Sequence, residues 1–265
     1  MSQNFEEYNM VLQELRKRIS DIIQDNVQFE DCFYIYFWLN ARRFDIDATE
    51  ALIRETARWP RWRKSKDAIG ATKADYHPGI QKCFPIRLDG KSKTGFAVFT
   101  GPAGKFRFGE TIKKFGREAI EYYWLQLLCK AEKLLIEYNR EVRKQNGSFV
   151  STWPPIQKSW LILDITNLSV TDLLSRDVLG VVLTLIKMAV THFPVLEGNL
   201  VFINAGTFTE LFFKIIRPML TDTKIDMLVF GTNKNKWKPF ILQHIDPRQI
   251  ETLYGGTLDE LMDSY

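Results

Sequence analysis

LVFINAGTFTELFFKIIRPMLTDTKIDMLVF, residues 200–230, places two short apolar runs, Leu200–Ile203 and Met227–Phe230, on either side of a helical segment, Phe208–Leu220. Continuous apolar runs of this length read as strands covered on both faces. A similar run, Trp160–Leu163, precedes them and ends at Asp164. Between these runs, Val178–Val190 carries apolar side chains on nearly every side, and a helix of that kind has to be buried. Strands alternating with helices predict a largely parallel sheet with helices packed against it, an α/β fold.

Toward the N-terminus the pattern becomes helical. Tyr8, Leu12, Leu15 and Ile19 recur at helical spacing, and Ile22 and Ile23 continue the stripe. A second apolar run covers Cys32–Leu39, and Asp47 is expected to cap a helix that reaches Trp59 before Pro60. Residues 1–75 are therefore expected to form a helical subdomain and residues 76–265 the main domain. In the latter, extended segments Cys83–Leu88 and Phe96–Thr100 are predicted around a turn at Asp89-Gly90-Lys91-Ser92. One long amphipathic helix is predicted over Thr111–Arg143, followed by loops at Gln145–Ser148 and Pro154-Pro155.

The composition is that of an ordinary globular protein: 265 residues, 45% hydrophobic and 26% charged. Its 19 Phe and 7 Trp can fill a large core or line a cavity. A net charge of +4 suits an anionic partner such as a lipid headgroup surface, but falls short of the basic stripes of a nucleic-acid binder. Cys32, Cys83 and Cys129 are odd in number and far apart, which excludes a disulfide framework or zinc spacing and suits a reducing, cytoplasmic compartment. The first residues lack the basic and apolar regions of a signal peptide. Val178–Val190, interrupted by Lys187, is too short to cross a bilayer, so any membrane contact is expected to be peripheral.

Enzyme motifs do not assemble. There is no Gly-x-Ser-x-Gly elbow and no dinucleotide fingerprint. Around Gly101-Pro-Ala-Gly104-Lys105, a phosphate loop would need glycine where Phe99 stands and a hydroxyl where Phe106 stands. His77, His192 and His244 show no metal-ligand spacing. Asp164 ends a strand, where it can serve as a carboxylate in a site or accept a hydrogen bond from the following loop. The expectation is a non-enzyme without metal.

The segment Phe208–Leu220 has its polar residues, Glu210, Lys214 and Arg217, in one narrow stripe; Leu211, Phe212, Phe213, Ile215, Ile216, Met219 and Leu220 fill the rest. Two readings stay open: a core helix between layers, or a lid whose inner face meets a lipid and whose outer face meets a membrane. Arg58–Lys66 mixes five cations with two tryptophans, as a headgroup-facing segment or a solvated face would; Lys113, Lys114 and Arg117 carry the same ambiguity.

Several motifs together resemble the CRAL-TRIO lipid-binding family, closest in style to the branch of supernatant protein factor and tocopherol-associated proteins. They are Phe37–Ile46 with Trp62-Arg63-Lys64, Leu161–Asp164, His192-Phe-Pro194, Leu200–Ala205, the run from Arg217-Pro-Met-Leu220 to Gly231, and Ile245–Gly256. The resemblance spans roughly residues 30–258. It implies that the sheet is the floor of a lipid pocket and that Phe208–Leu220 is the gate helix. Expected pocket residues are Leu163, Phe193, Phe202, Phe208, Leu211, Phe212, Ile215, Ile216 and Met219, with Phe213, Lys214, Arg217 and Lys224 facing a membrane or headgroup. Ser169 and Thr171 match a hydroxyl pair that contacts a phosphocholine headgroup in family members, although both also suit helix capping, in competition with Asp172. Val195 and Asp226 replace the Glu and Lys of the family's phosphatidylinositol signature.

The implied function is binding of one hydrophobic lipid (phospholipid, tocopherol-like or isoprenoid) in an internal void, and its carriage or exchange between membranes. The alternative is a regulatory protein-interaction module whose vestigial pocket is filled by its own side chains. A cytoplasmic, peripherally membrane-associated monomer is expected, with no cofactor besides the lipid and no nucleic-acid partner.

Overall fold

The structure is a computed structural model describing residues 5–60, 77–146, 159–207 and 209–259. The N-terminal stripe forms two helices, α1 (Phe5–Arg18) and α2 (Ser20–Asp25), with Tyr8, Leu12, Leu15 and Ile19 buried. Helix α3 (Cys32–Ala41) is opened by Asp31, whose carboxylate accepts the N–H groups of Phe33 and Tyr34. The same carboxylate pairs with Arg140 at 2.8 Å and Arg143 at 3.0 Å, fastening the N-terminal helices to the long helix described below. Helix α4 (Ile46–Arg58) is capped by Asp45, not by Asp47 as expected. Asp45 has the extended backbone a cap requires and accepts from Ala48; Asp47 lies in the first turn and pairs with Arg18.

After a short helix α5 (Pro78–Gln81), strand β1 (Arg87–Lys91) starts four residues later than the segment predicted from Cys83. Phe84 is drawn instead into a ring cluster with Phe106, Phe108, Tyr123 and Trp124. Gly90 pairs with Val98 inside the ladder, and the chain reverses later, where Ser92 N–H bonds to Phe96 and Gly95 takes φ +86°. Strand β2 is Ala97–Gly101. The single helix predicted over Thr111–Arg143 is two, α6 (Phe108–Phe115) and α7 (Arg117–Asn146). Gly116, at φ +82° and ψ 159°, separates them with a conformation closed to other residues. Then follow β3 (Ser159–Asp164), α8 (Val170–Leu173), α9 (Arg176–His192), β4 (Gly198–Ala205), α10 (Thr209–Leu220), β5 (Asp226–Gly231) and α11 (Lys234–His244).

The five strands lie in sequential order, β1 antiparallel to β2 and β2 to β5 mutually parallel. This is the α/β arrangement expected, with an antiparallel edge. Parallel crossovers share one handedness, so α8–α9 and α10 fall on the same face of a sequentially ordered sheet. Side-chain alternation follows. Leu161, Leu163, Leu200 and Phe202 point into the core shared with α9, α10 and the N-terminal helices. Trp160, Ile162, Val201 and Ile203 point into a second core with Trp237 and Ile241 of α11 and Tyr254 of the C-terminal segment. The boundary expected at residue 75 lies outside the described residues. No helix among the described residues is long and apolar enough to cross a membrane.

Candidate functional site

The two faces of the sheet are sealed unequally. On the α11 side, Ile162, Val201 and Ile203 are 0% exposed. On the other side, Leu161, Leu163 and Leu200 are only half-buried, although they sit on inner strands with helices above them. Further along that face of β4, Phe202 is closed off by the ring of Phe213, their centroids 4.9 Å apart.

Phe213 belongs to α10, the roof. Its buried residues are Thr209, Phe212, Phe213 and Ile216, spaced three and four apart as one helical stripe requires. Thr209 anchors the start of that stripe by donating to the carbonyl of Gly206 at 2.6 Å. Phe213, expected on the outer face, is 1% exposed and turned inward, whereas Leu211, expected inward, is 54% exposed. The rotation follows from packing, since the Phe202–Phe213 contact and the buried Thr209 fix which side faces the sheet. Ile215 and Met219 are half-buried flanks, and Phe208 lies outside the described residues. Lys214 is exposed, and Arg217 pairs along the surface with Glu210. Lys224 lies past the far end of the roof, where its N–H donates to Glu197 at 3.0 Å. Phe193 is fully buried where α9 ends.

At the carboxyl ends of β3 and β4 an open cleft of about 1220 Å³ is lined by residues 165–169, Thr171, Leu174, Ser175, Asn204, Gly206, Thr207, Thr209, Leu211 and Thr232. It brings Ser169 and Thr171 together with Leu211, and none of its lining side chains is charged. Ser169 Oγ accepts the N–H of Asp172 at 3.2 Å, so it caps the short helix α8 while bordering the cleft. Both hydroxyl residues are exposed. A neighbouring cleft of about 500 Å³ shares Ser169 and is lined by Arg107, Lys113, Asp172 and Asp177 among others.

Asp164 is fully engaged in the fold. Its Oδ1 accepts the N–H of Thr166 at 2.9 Å, the hydroxyl of Thr166 at 2.6 Å and Asn204 Nδ2 at 3.0 Å. Asn204 Oδ1 in turn accepts Trp237 Nε1–H at 3.2 Å. The three histidines are separate: His77 caps α5, His244 packs on Trp160, and His192 Nδ1 lies 2.8 Å from Thr56 Oγ1. Burial holds His192 below the ordinary imidazole range. Among the described residues no cluster of His, Cys, Asp or Glu could hold a metal ion. Gly104 is required by packing, since a Cβ there would stand 1.9 Å from the carbonyl oxygen of Thr166.

Val195 is buried, and Asp226 is exposed at the start of β5. The carboxylate that does approach Lys224 is Glu197, which burial raises above the ordinary carboxyl range. Nothing in its local sequence marks Glu197, because its environment is made by chain segments distant in sequence.

A family profile described as the CRAL/TRIO domain matches residues 125–256. A phosphatidylinositol/phosphatidylcholine transfer protein of Arabidopsis thaliana is 25% identical over 83% of this chain and 36% of its own length. This chain thus spans only about a third of that relative. The SEC14 cytosolic factor of Eremothecium gossypii is 21% identical over 96% of this chain and 77% of its own. A CRAL-TRIO domain-containing protein of Saccharomyces cerevisiae is 22% identical, covering 83% and 69%. The crystal structure of Sfh5 superposes with a TM-score of 0.61 at 16% identity, over 97% of this chain and 89% of that one, a likeness of fold. Residues 125–256, which hold β3 to β5, α9 and α10, therefore carry a CRAL/TRIO domain.

Proposed function

We propose that the protein holds one hydrophobic lipid between the sheet floor and the roof helix α10, and carries or exchanges it between membranes. The observation that carries this reading is the unequal sealing of the sheet. Leu161, Leu163 and Leu200 are only half-buried on inner strands beneath helices, while their neighbours on the opposite face are closed. Protein interiors are packed to crystal density, so accessible surface at such positions points to space meant for another molecule. The names of the relatives, a phospholipid transfer protein and a cytosolic factor, support the same function and a cytoplasmic site of action.

Leu163, Phe202, Phe212, Phe213, Ile215, Ile216 and Met219 would wall the pocket. Each buried methylene of the ligand would contribute about 0.8 kcal/mol, so affinity needs few polar contacts. Ser169 and Thr171 stand where a headgroup would emerge; because Ser169 Oγ only accepts from Asp172, its own proton is free to be donated. Exchange would follow peripheral docking of a monomer on a membrane and outward movement of α10. No catalytic step, metal or further cofactor is invoked. Val195 and Asp226 argue against an inositol phosphate held in the family's usual way.

One observation favours the interaction-module alternative: the Phe202–Phe213 contact already fills part of the space beneath the roof. Native mass spectrometry of the purified protein, before and after incubation with mixed liposomes, separates the two. One lipid per chain is the expected result. A chain that stays free of lipid after incubation points to the module.

A further inference from the structure

The last helix begins at the same cleft. Thr232 lines the cleft rim, Asn233 caps α11, and Lys234, Lys236 and Lys238 follow within its first turns. Lys234 and Lys236 are exposed; Lys238 is half-buried, its stem laid over Gly255. None of the three forms an ion pair among the described residues. The sequence holds no carboxylate between Asp226 and Asp246, so nothing nearby along the chain offsets these charges. Across the cleft stands Leu211, the exposed apolar residue of the roof, with exposed Lys214 one turn on. Lys234 Nζ lies over the Trp237 ring at 5.8 Å, which leaves its charge uncompensated by any carboxylate among the described residues. An apolar side chain at a rim flanked by lysines without ion-pair partners is complementary to an anionic lipid surface: the lysines meet headgroup charge, and the leucine enters the acyl boundary.

We propose that the N-terminal lysines of α11, together with Leu211, form a docking surface for an anionic membrane, so that the cleft mouth faces the bilayer. This surface differs from the one the family resemblance implies. Arg217 and Lys224 belong to the far end of the roof, Arg217 about 12 Å from Thr209 along the helix and Lys224 beyond its last residue. The proposal rests on the carrier reading only for the purpose it gives the cleft; the docking itself can be measured without reference to bound lipid.

Each lysine near an anionic leaflet is worth about a fivefold gain in partitioning, so three give on the order of a hundredfold. The test is co-sedimentation of the full chain with phosphatidylcholine vesicles, with and without phosphatidylserine. The wild-type protein is expected to prefer the phosphatidylserine vesicles, and K234Q/K236Q/K238Q to lose at least about tenfold of that binding. K130Q/K133Q/K144Q removes the same charge from exposed positions on α7 and is expected to stay within about twofold of wild type. The triple Lys→Arg variant on α11 keeps the charge and should keep the binding. L211S should weaken binding without changing its dependence on phosphatidylserine. Equal loss in both Gln triples would reduce the effect to net charge and overturn the proposal. Wild-type protein that ignores phosphatidylserine would overturn it too, and would turn the surface toward an acidic protein partner. If the α11 triple melts early, the single variants K234Q and K236Q, at exposed positions, each read about fivefold instead. Failure here leaves the lipid count from mass spectrometry untouched, and the converse holds as well.

Discussion

Replacing Phe213 with alanine separates a roof that opens from one that is fixed. The side chain is 1% exposed, lies 4.9 Å from Phe202 and 6.0 Å from Phe212, and takes part in the contact that closes the floor. Truncating a buried Phe costs about 3–5 kcal/mol. The incomplete burial of Leu161 and Leu200 on the same face of the sheet shows that this side is not tightly filled, which places the cost near the lower bound, about 3 kcal/mol. If exchange requires α10 to lift, this contact is lost on opening as well as on unfolding. The opening equilibrium then gains nearly the full amount, up to about a hundredfold. The assay is transfer of a fluorescent phospholipid between vesicles at limiting protein, beside urea unfolding of the same sample. F213A should unfold more easily and exchange faster. A variant that loses the expected stability but exchanges within about twofold of wild type would refute the idea that this contact breaks during exchange.

Asp164→Ala leaves three donors without their acceptor and should cost about 2–4 kcal/mol in urea unfolding, whereas Asp164→Asn keeps an acceptor oxygen and should cost less. Folded D164N is expected to retain lipid; loss of lipid without loss of stability would give the carboxylate a direct role. Burial lowers the His192 pKa from 6.5, with Lys187 and Arg42 acting in the same direction and Glu55 against it. The unfolded chain therefore binds more protons at acid pH. The stability held by neutral His192 is complete above about pH 6.5 and declines as the pH falls from there toward the lower folded value. H192Q should flatten the drop in thermal midpoint between about pH 7.5 and 5.5; parallel profiles for the two proteins would remove His192 as its source. Gly104→Ala drives a Cβ to within 1.9 Å of the Thr166 carbonyl and should cost at least about 2 kcal/mol by backbone displacement. Gly116→Ala meets no atom within 4 Å, yet should cost about 1–3 kcal/mol through its φ of +82° alone. Urea midpoints of both variants check the two figures, and a neutral Gly116→Ala would deny that backbone strain ends α6.

The parallel strands and the helices between them were legible because each is a compact run whose composition has one reading. Leu200–Ile203 lies inside β4, and Met227–Phe230 inside β5. The break at Gly116 was not, because an isolated glycine in a helical pattern is usually tolerated and only its backbone angles reveal a boundary. The displacement of β1 has a different origin: Phe84 has the same apolar character as a strand residue, but four rings meet around it. The cap expected at Asp47 falls at Asp45 because the two share the same side chain and only the backbone angles show which one precedes the first turn. The rotation of the roof was the least accessible feature. Its apolar residues cover most of its circumference, so periodicity alone assigns no inner side, and the polar Thr209 that begins the buried stripe points the wrong way in any hydrophobicity reading. The cleft was visible only in part: Ser169 and Thr171 came from the family pattern, whereas Asn204, Thr207 and Thr232 enter from segments that converge only on folding.

With the crossovers after β3 and β4 leaving the sheet on one side, a lipid held there would load that side alone. The rear wall, built from Ile162, Val201, Ile203 and Trp237 and latched through Asn204, would not have to yield. Strand register is set by bonds lying in the plane of the sheet, and it is therefore independent of how far the helices stand above it. A scaffold with that division of labour can acquire new specificity by exchanging side chains on a single surface, without having to find a new way to fold.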